Sequence, residues 1–136
     1  MPSTSRRAGV DRFLERPRDA TCTSVRAGGQ PVLAPIWSVW KGGMFIVSTS
    51  TITRRWAHLK QDGRCLVLID REDGVVDATG RAVLRAAWIR IKTRLVVEKQ
   101  VEEERVDGYL QALRAGPPRS MDLLRPDRLC QWGIER

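Results

Sequence analysis

Short apolar runs broken at regular intervals by glycine turns constrain this chain more than any other feature. Thr21 to Val25 alternates weakly, as a half-buried strand does, and Ala27-Gly28-Gly29-Gln30 is turn chemistry. Pro31 to Trp40 reads as the next strand, Lys41-Gly42-Gly43 as a hairpin turn and Met44 to Ser48 as the returning strand. Further on, Arg64 to Asp70 is continuously apolar at its centre, Asp73-Gly74 turns the chain, and Val75 to Leu84 runs back with Gly80 inside it. Strands joined by turns this tight pair antiparallel, because a parallel return needs a long crossover. Pro35 supplies no ladder donor, so it belongs at an edge, a bulge or a break.

Helices interrupt these strands. Residues 1–9 are small, polar and basic and read as a flexible tail; a helix over Val10 to Arg16 should stop before Pro17. Arg54 to Gln61 has helical spacing, with Trp56, Leu59 and Lys60 three to four residues apart, and Asp62-Gly63 ends it. Val106, Tyr109, Leu110 and Leu113 mark a helix over Glu102 to Ala115, stopped by Gly116-Pro117-Pro118. Residues 85–99 fit two readings. Ile89, Ile91, Thr93, Leu95 and Val97 alternate like a strand, while Trp88, Ile91, Leu95 and Val96 share one side of a helix. Two short strands, near Met121 to Leu124 and Arg128 to Trp132, finish the chain. The 136 residues suffice for one domain, over 10–136, with a core of its own. The expected architecture is mainly β with inserted helices: a small barrel of six to seven mostly antiparallel strands.

The net charge is +8, nearly all of it from Arg. Guanidinium groups suit phosphate and carboxylate, so an anionic partner fits; a genome rich in Arg codons gives the same surplus without one. Cys22, Cys65 and Cys130 are odd in number, far apart and set in apolar runs. They read as buried free thiols in a reducing, cytoplasmic compartment, with no structural metal. The longest aliphatic stretch, Cys65 to Ile69, is too short to span a membrane, and Met1 to Arg7 precedes no apolar core of a signal peptide.

The stretch richest in chemistry is Val47-Ser48-Thr49-Ser50-Thr51-Ile52-Thr53-Arg54-Arg55-Trp56, where a strand ends, a hydroxyl-rich loop follows and a helix begins. Thr51 or Thr53 is the natural N-cap. Arg54 and Arg55 then occupy the first helical turn, where the helix dipole disfavours cations. An anion held between backbone N–H groups, hydroxyls and guanidiniums relieves that repulsion. A solvated, Arg-rich helix start with no ligand is the plainer alternative.

Several segments in order carry a family likeness. Gly29-Gln30-Pro31 leads into Ala34-Pro35-Ile36-Trp37; Met44 to Thr49 precedes the loop and basic helix start; then come Leu59-Lys60-Gln61-Asp62-Gly63-Arg64, Thr79-Gly80-Arg81-Ala82 and the closing Arg125 to Trp132. In this order and spacing, from about residue 12 to 134, the chain resembles the pyridoxamine 5'-phosphate oxidase-like FMN-binding split-barrel family, which includes FMN- and deazaflavin-dependent reductases. It departs from the family pattern with Arg55 in place of Lys, Gly63 in place of Pro and a bulky Trp56. The resemblance implies a split β-barrel, favours helix over 85–99, and implies a homodimer with the cofactor at the interface. It also implies that Thr49, Arg54 and Arg55 hold a cofactor phosphate, with Ser48 and Ser50 beside them, and that Pro35, Ile36 and Trp37 contact the isoalloxazine ring. Arg128 and Trp132 are secondary candidates for completing the partner's site. FMN is the expected cofactor and the deazaflavin coenzyme its alternative.

The resemblance thus implies an oxidoreductase that moves a hydride to or from a small organic substrate, work that needs orientation and exclusion of water more than an acid–base pair. His58, the one histidine, has no obvious Ser or Cys partner in sequence and reads as structural. Two other functions compete. A cofactor-free or heme-binding member of the fold would act by binding alone. A basic nucleic-acid-binding module would use the Arg and Trp content, but the basic residues are dispersed and Glu98 to Asp107 forms an acidic block.

Overall fold

The computed structural model describes residues 4–16, 19–85, 89–116 and 118–134. In chain order the elements are α1 (Thr4–Glu15), β1 (Asp19–Val25), β2 (Pro31–Trp37), β3 (Val39–Lys41), β4 (Met44–Ser50), α2 (Arg54–Gln61), β5 (Arg64–Arg71), β6 (Gly74–Arg85), α3 (Ile89–Gln100), α4 (Glu103–Ala115), β7 (Arg119–Leu124) and β8 (Arg128–Trp132). The eight strands form one antiparallel sheet in the order β2-β1-β5-β6-β7-β4-β3, with β8 added along β6.

The expected six to seven strands become eight because Pro31 to Trp40 breaks at Ser38. β2 pairs with β1 at one end of the sheet, whereas β3 pairs with β4 at the other. Pro35 lies on β2, an edge strand, where a residue without a backbone N–H is tolerated. The hairpin into β4 turns through Gly42 and Gly43, at φ 61° and 76°, the left-handed region that glycine enters without strain.

Curvature comes from β6. Its first part pairs with β5 and β8, and from Ala82 onward it pairs with β7. A strand that changes partners midway rolls the sheet into a barrel. Gly80 stands at the change: a Cβ there would sit 2.8 Å from Leu124 Cδ1 and 3.0 Å from the Arg125 carbonyl oxygen.

Rolling brings β2 up to β4 without joining them by a ladder. Alternate residues fill the interior, among them Phe45, Val47, Val67, Ile69, Val76, Ala78 and Leu124. α2 adds Leu59 to that core and α1 adds Val10, Phe13 and Leu14. On the outer face, Val96 of α3 packs with Ile46, Met121 and Leu123, and α4 docks on α3 through Val97, Val106 and Leu110.

Residues 89–100 are helical, as the family likeness implied; α3 packs on the sheet through Val96 and on α4 through Val97. Trp88 and Pro17 lie outside the described residues. α1 starts at Thr4, so residues 4–9, expected in the tail, belong to the helix that buries Val10, Phe13 and Leu14. Among the described residues no helix is long and apolar enough to cross a membrane.

Gly80→Ala is expected to cost about 1–3 kcal/mol by overpacking. Denaturant unfolding measures it, and an unchanged midpoint would contradict this packing.

Candidate functional site

Beyond the last pair made by β3, the residues Val47 to Ser50 of β4 are paired only with β7. Their other edge faces β2, and the split between them is a cleft of about 740 Å³. Pro35, Ile36 and Trp37 line it from β2, Ser48, Thr49 and Ser50 from β4, and Arg54 and Arg55 from α2. All eight residues singled out in the sequence therefore meet in one place. Trp37 is backed by Tyr109 of α4, with ring centroids 5.5 Å apart and planes inclined at 36°.

Local chemistry explains the helix start. The Trp56 N–H donates to Thr53 Oγ1 at 3.2 Å, so Thr53 is the N-cap. Thr51 Oγ1 instead donates to the Pro118 carbonyl at 3.1 Å. The first turn of α2 carries Arg54 and Arg55 and no acidic residue.

A buried polar chain runs inward from this point. Arg55 Nη2 donates to Thr49 Oγ1, and Thr49 Oγ1 donates to Asp122 Oδ2 at 2.7 Å. Ser120 Oγ donates to the other carboxylate oxygen at 3.3 Å. Thr49 is 2% exposed and Asp122 5%. Burial pushes the Asp122 carboxyl above the ordinary value, against the opposing pull of Thr49, Arg55, Ser120 and Arg119. Beneath the chain a small cavity is lined by Arg55, Asp122, Cys22 and Cys65, among others. The two cysteines share a hydrogen bond that lowers the Cys22 thiol pKa and, together with burial, raises that of Cys65.

Arg119 was not anticipated. It lines the cleft opposite Ser50, with Nε donating to Ser48 Oγ at 2.9 Å and Nη2 to the Ser48 carbonyl at 3.0 Å. Burial lowers its pKa. Its strand begins two residues earlier than the Met121 expected from sequence, because the ladder to Thr49 and Ser50 extends it. The alternation of Ser120 and Asp122 with Met121 and Leu123 was the available signal. It gains meaning only once β4 is known to lie alongside. Asp19, Val32, Ala34 and Thr53 also line the cleft without having been singled out as site residues.

Other candidates fall elsewhere. Arg128 and Trp132 lie on β8, along β6, and are not in the cleft lining. His58 does have a serine partner, since its Nδ1 lies 3.2 Å from Ser24 Oγ. Ser24 is 1% exposed, so this contact ties α2 to β1 and fits a structural role. Trp56 stays out of the cleft lining; its buried Nε1 has no hydrogen-bond partner among the described residues, and Lys60 Nζ sits 5.0 Å above its ring. Trp40 is a core residue, donating to Asp11 Oδ1 at 2.8 Å and meeting Phe45 edge-on.

The family profile described as pyridoxamine 5'-phosphate oxidase matches residues 8–129. The chain belongs to this family. No match was found among curated proteins. Solved structures share the split-barrel fold of this family member at low identity. A conserved hypothetical protein, Rv2991 of Mycobacterium tuberculosis, superposes with a TM-score of 0.74 at 18% identity, covering 97% of this chain and 85% of that one. A protein named F420 reductase gives 0.67 at 16%, covering 96% and 98%. A heme-binding protein of Mycobacterium smegmatis gives 0.72 at 16%, covering 98% of this chain and 55% of that one.

The buried carboxylate sets a pH signature. With its pKa raised in the folded state, Asp122 binds more proton folded than unfolded between the ordinary carboxylate value and the raised one. Stability therefore falls as pH rises through that window. Wild type measured against Asp122→Asn should lose ground steadily from about pH 4 upward. A difference that grows in favour of wild type with pH contradicts the assignment.

Proposed function

We propose that this chain binds a flavin-type cofactor, FMN or alternatively the deazaflavin coenzyme, with its phosphate in the split between β2 and β4, and acts as an oxidoreductase moving a hydride to or from a small organic substrate. One observation carries this reading. Arg54, Arg55 and Arg119 line a single cleft, and among the described residues none has a carboxylate oxygen within 4.0 Å. Cations brought together without a direct ion-pair partner repel, since Asp122 reaches Arg55 only through Thr49 and Asp19 is the one carboxylate among the described lining residues; a phosphate is the group that guanidiniums, hydroxyls and a helix start jointly satisfy. Ser50 and Thr53 line the same cleft.

The other wall suits a flat ring. Val32, Ala34, Pro35, Ile36 and Trp37 are apolar and lie along one strand. When bound, the cofactor supplies the hydride chemistry. The chain's own part is to hold the phosphate at the Arg groups, lay the ring along β2 and keep water from it. The likeness to an F420 reductase supports the deazaflavin arm.

Exposed apolar Leu33 on β2 and Ile52 in the loop between β4 and α2 support a homodimer in which a second copy closes the site. The three free cysteines support a cytoplasmic, reducing setting. Of the alternatives, a heme reading draws less support, because the one histidine lies outside the cleft lining.

The visible spectrum of the purified protein, followed by separate titrations of FMN, riboflavin and the deazaflavin coenzyme, tests the proposal. Arg55→Ala and Arg119→Ala should each weaken FMN by about tenfold or more, roughly 1.4 kcal/mol, and leave riboflavin unchanged. A colourless wild type that takes up neither cofactor contradicts the oxidoreductase reading.

A further inference from the structure

We propose that Asp122, acting through the Thr49 hydroxyl, is the positioning residue that holds the Arg55 guanidinium across the split between β2 and β4. The consequence for ligand binding rests on the cofactor reading above; the positioning itself does not.

A threonine hydroxyl has a single hydrogen to donate and two lone pairs to accept with. An ionised carboxylate can only accept, so Asp122 claims the Thr49 hydrogen, at 2.7 Å. The hydroxyl then presents only lone pairs to its other neighbour. That neighbour is Arg55, which has five N–H donors and no acceptor, and whose Nη2 donates to Thr49 Oγ1. Each contact fixes the direction of the next. The second carboxylate oxygen is taken by Ser120, so both sides of Asp122 are held by hydroxyls.

The interposed hydroxyl matters. A direct bidentate pair with Asp122 would draw the guanidinium into the barrel and use two of its donors there. Instead one donor goes to Thr49, and Arg55 lines both the outer cleft and the small internal cavity that Asp122 also borders. The residue thus spans the split, with donors left on the cleft side. The same chain revises what Thr49 does. Its proton is committed inward, so it anchors the arginine and has no hydrogen to give a phosphate.

A buried carboxylate among Phe45, Val47 and Leu124 carries a desolvation cost that an apolar residue would not. Orienting Arg55 is the use that the geometry gives it.

Nitrogen-15 NMR of the arginine side chains in the full-length protein reads this directly, with the Arg55 resonance assigned by Arg55→Lys. Wild type should show an Arg55 guanidinium in slow exchange, and that signature should be lost in Asp122→Asn and in the near-isosteric Thr49→Val. Asp122→Asn should also weaken FMN by about tenfold without changing riboflavin. Combined with Arg55→Ala, it should add nothing further. An unchanged Arg55 signal in a folded Asp122→Asn or Thr49→Val protein overturns the proposal, as does unchanged FMN affinity in an Asp122→Asn protein. If Asp122→Asn does not fold, Thr49→Val alone decides. A wild type that binds neither FMN nor the deazaflavin coenzyme sinks the cofactor reading, while the Arg55 signal still decides whether Asp122 positions it.

Discussion

The register between β4 and β7 governs the site, because a strand sends successive side chains to opposite faces and a shift of one residue would exchange them all. With Val47 opposite Asp122 and Thr49 opposite Ser120, three polar groups face the barrel interior beside Val47. Ser48, Ser50 and Arg119 take the other face, in line with Ile46, Met121 and Leu123. Thr49 from the first set and Ser48, Ser50 and Arg119 from the second reach the cleft, because this part of β4 is paired only with β7. The polar chain inside and the guanidinium outside thus follow from one ladder.

That ladder in turn depends on how the sheet closes. β6 changes partners beside Gly80, the sheet rolls, and β2 arrives at β4 without bonding to it. Full pairing there would satisfy more backbone groups and leave no cleft. The first turn of α2 instead lies at the split, held by the Thr53 cap, by Leu59 in the core and by the contact between His58 and Ser24. Two features of this region work against stability: cations at a helix N-terminus and a carboxylate in the interior. Local costs gathered at a cleft are what a binding site leads one to expect.

Much of this was legible in the sequence, because local spacing carries it. The bounds of α2 and β8 follow from residue spacing, and of the edge, bulge or break that Pro35 called for, the sheet has the edge. The eight cleft residues singled out in the sequence fall in two short segments, 35–37 and 48–55, and the family likeness identified both. What stayed hidden was non-local. Ser38 divides one apolar run because its halves meet partners at opposite ends of the sheet. Arg119 and Asp122 acquire roles only from the strand beside them, some seventy residues earlier in the chain. Ser24 likewise finds His58 only through folding.

The most direct measurement is a crystal structure of the protein saturated with FMN. The account predicts the phosphate in the split between β2 and β4, with oxygens at hydrogen-bond distance, about 2.7–3.1 Å, from the Arg54, Arg55 or Arg119 guanidiniums, and the ring along Pro35 to Trp37. FMN bound elsewhere, or no density at saturation for FMN or, in a second crystal, for the deazaflavin coenzyme, would contradict it.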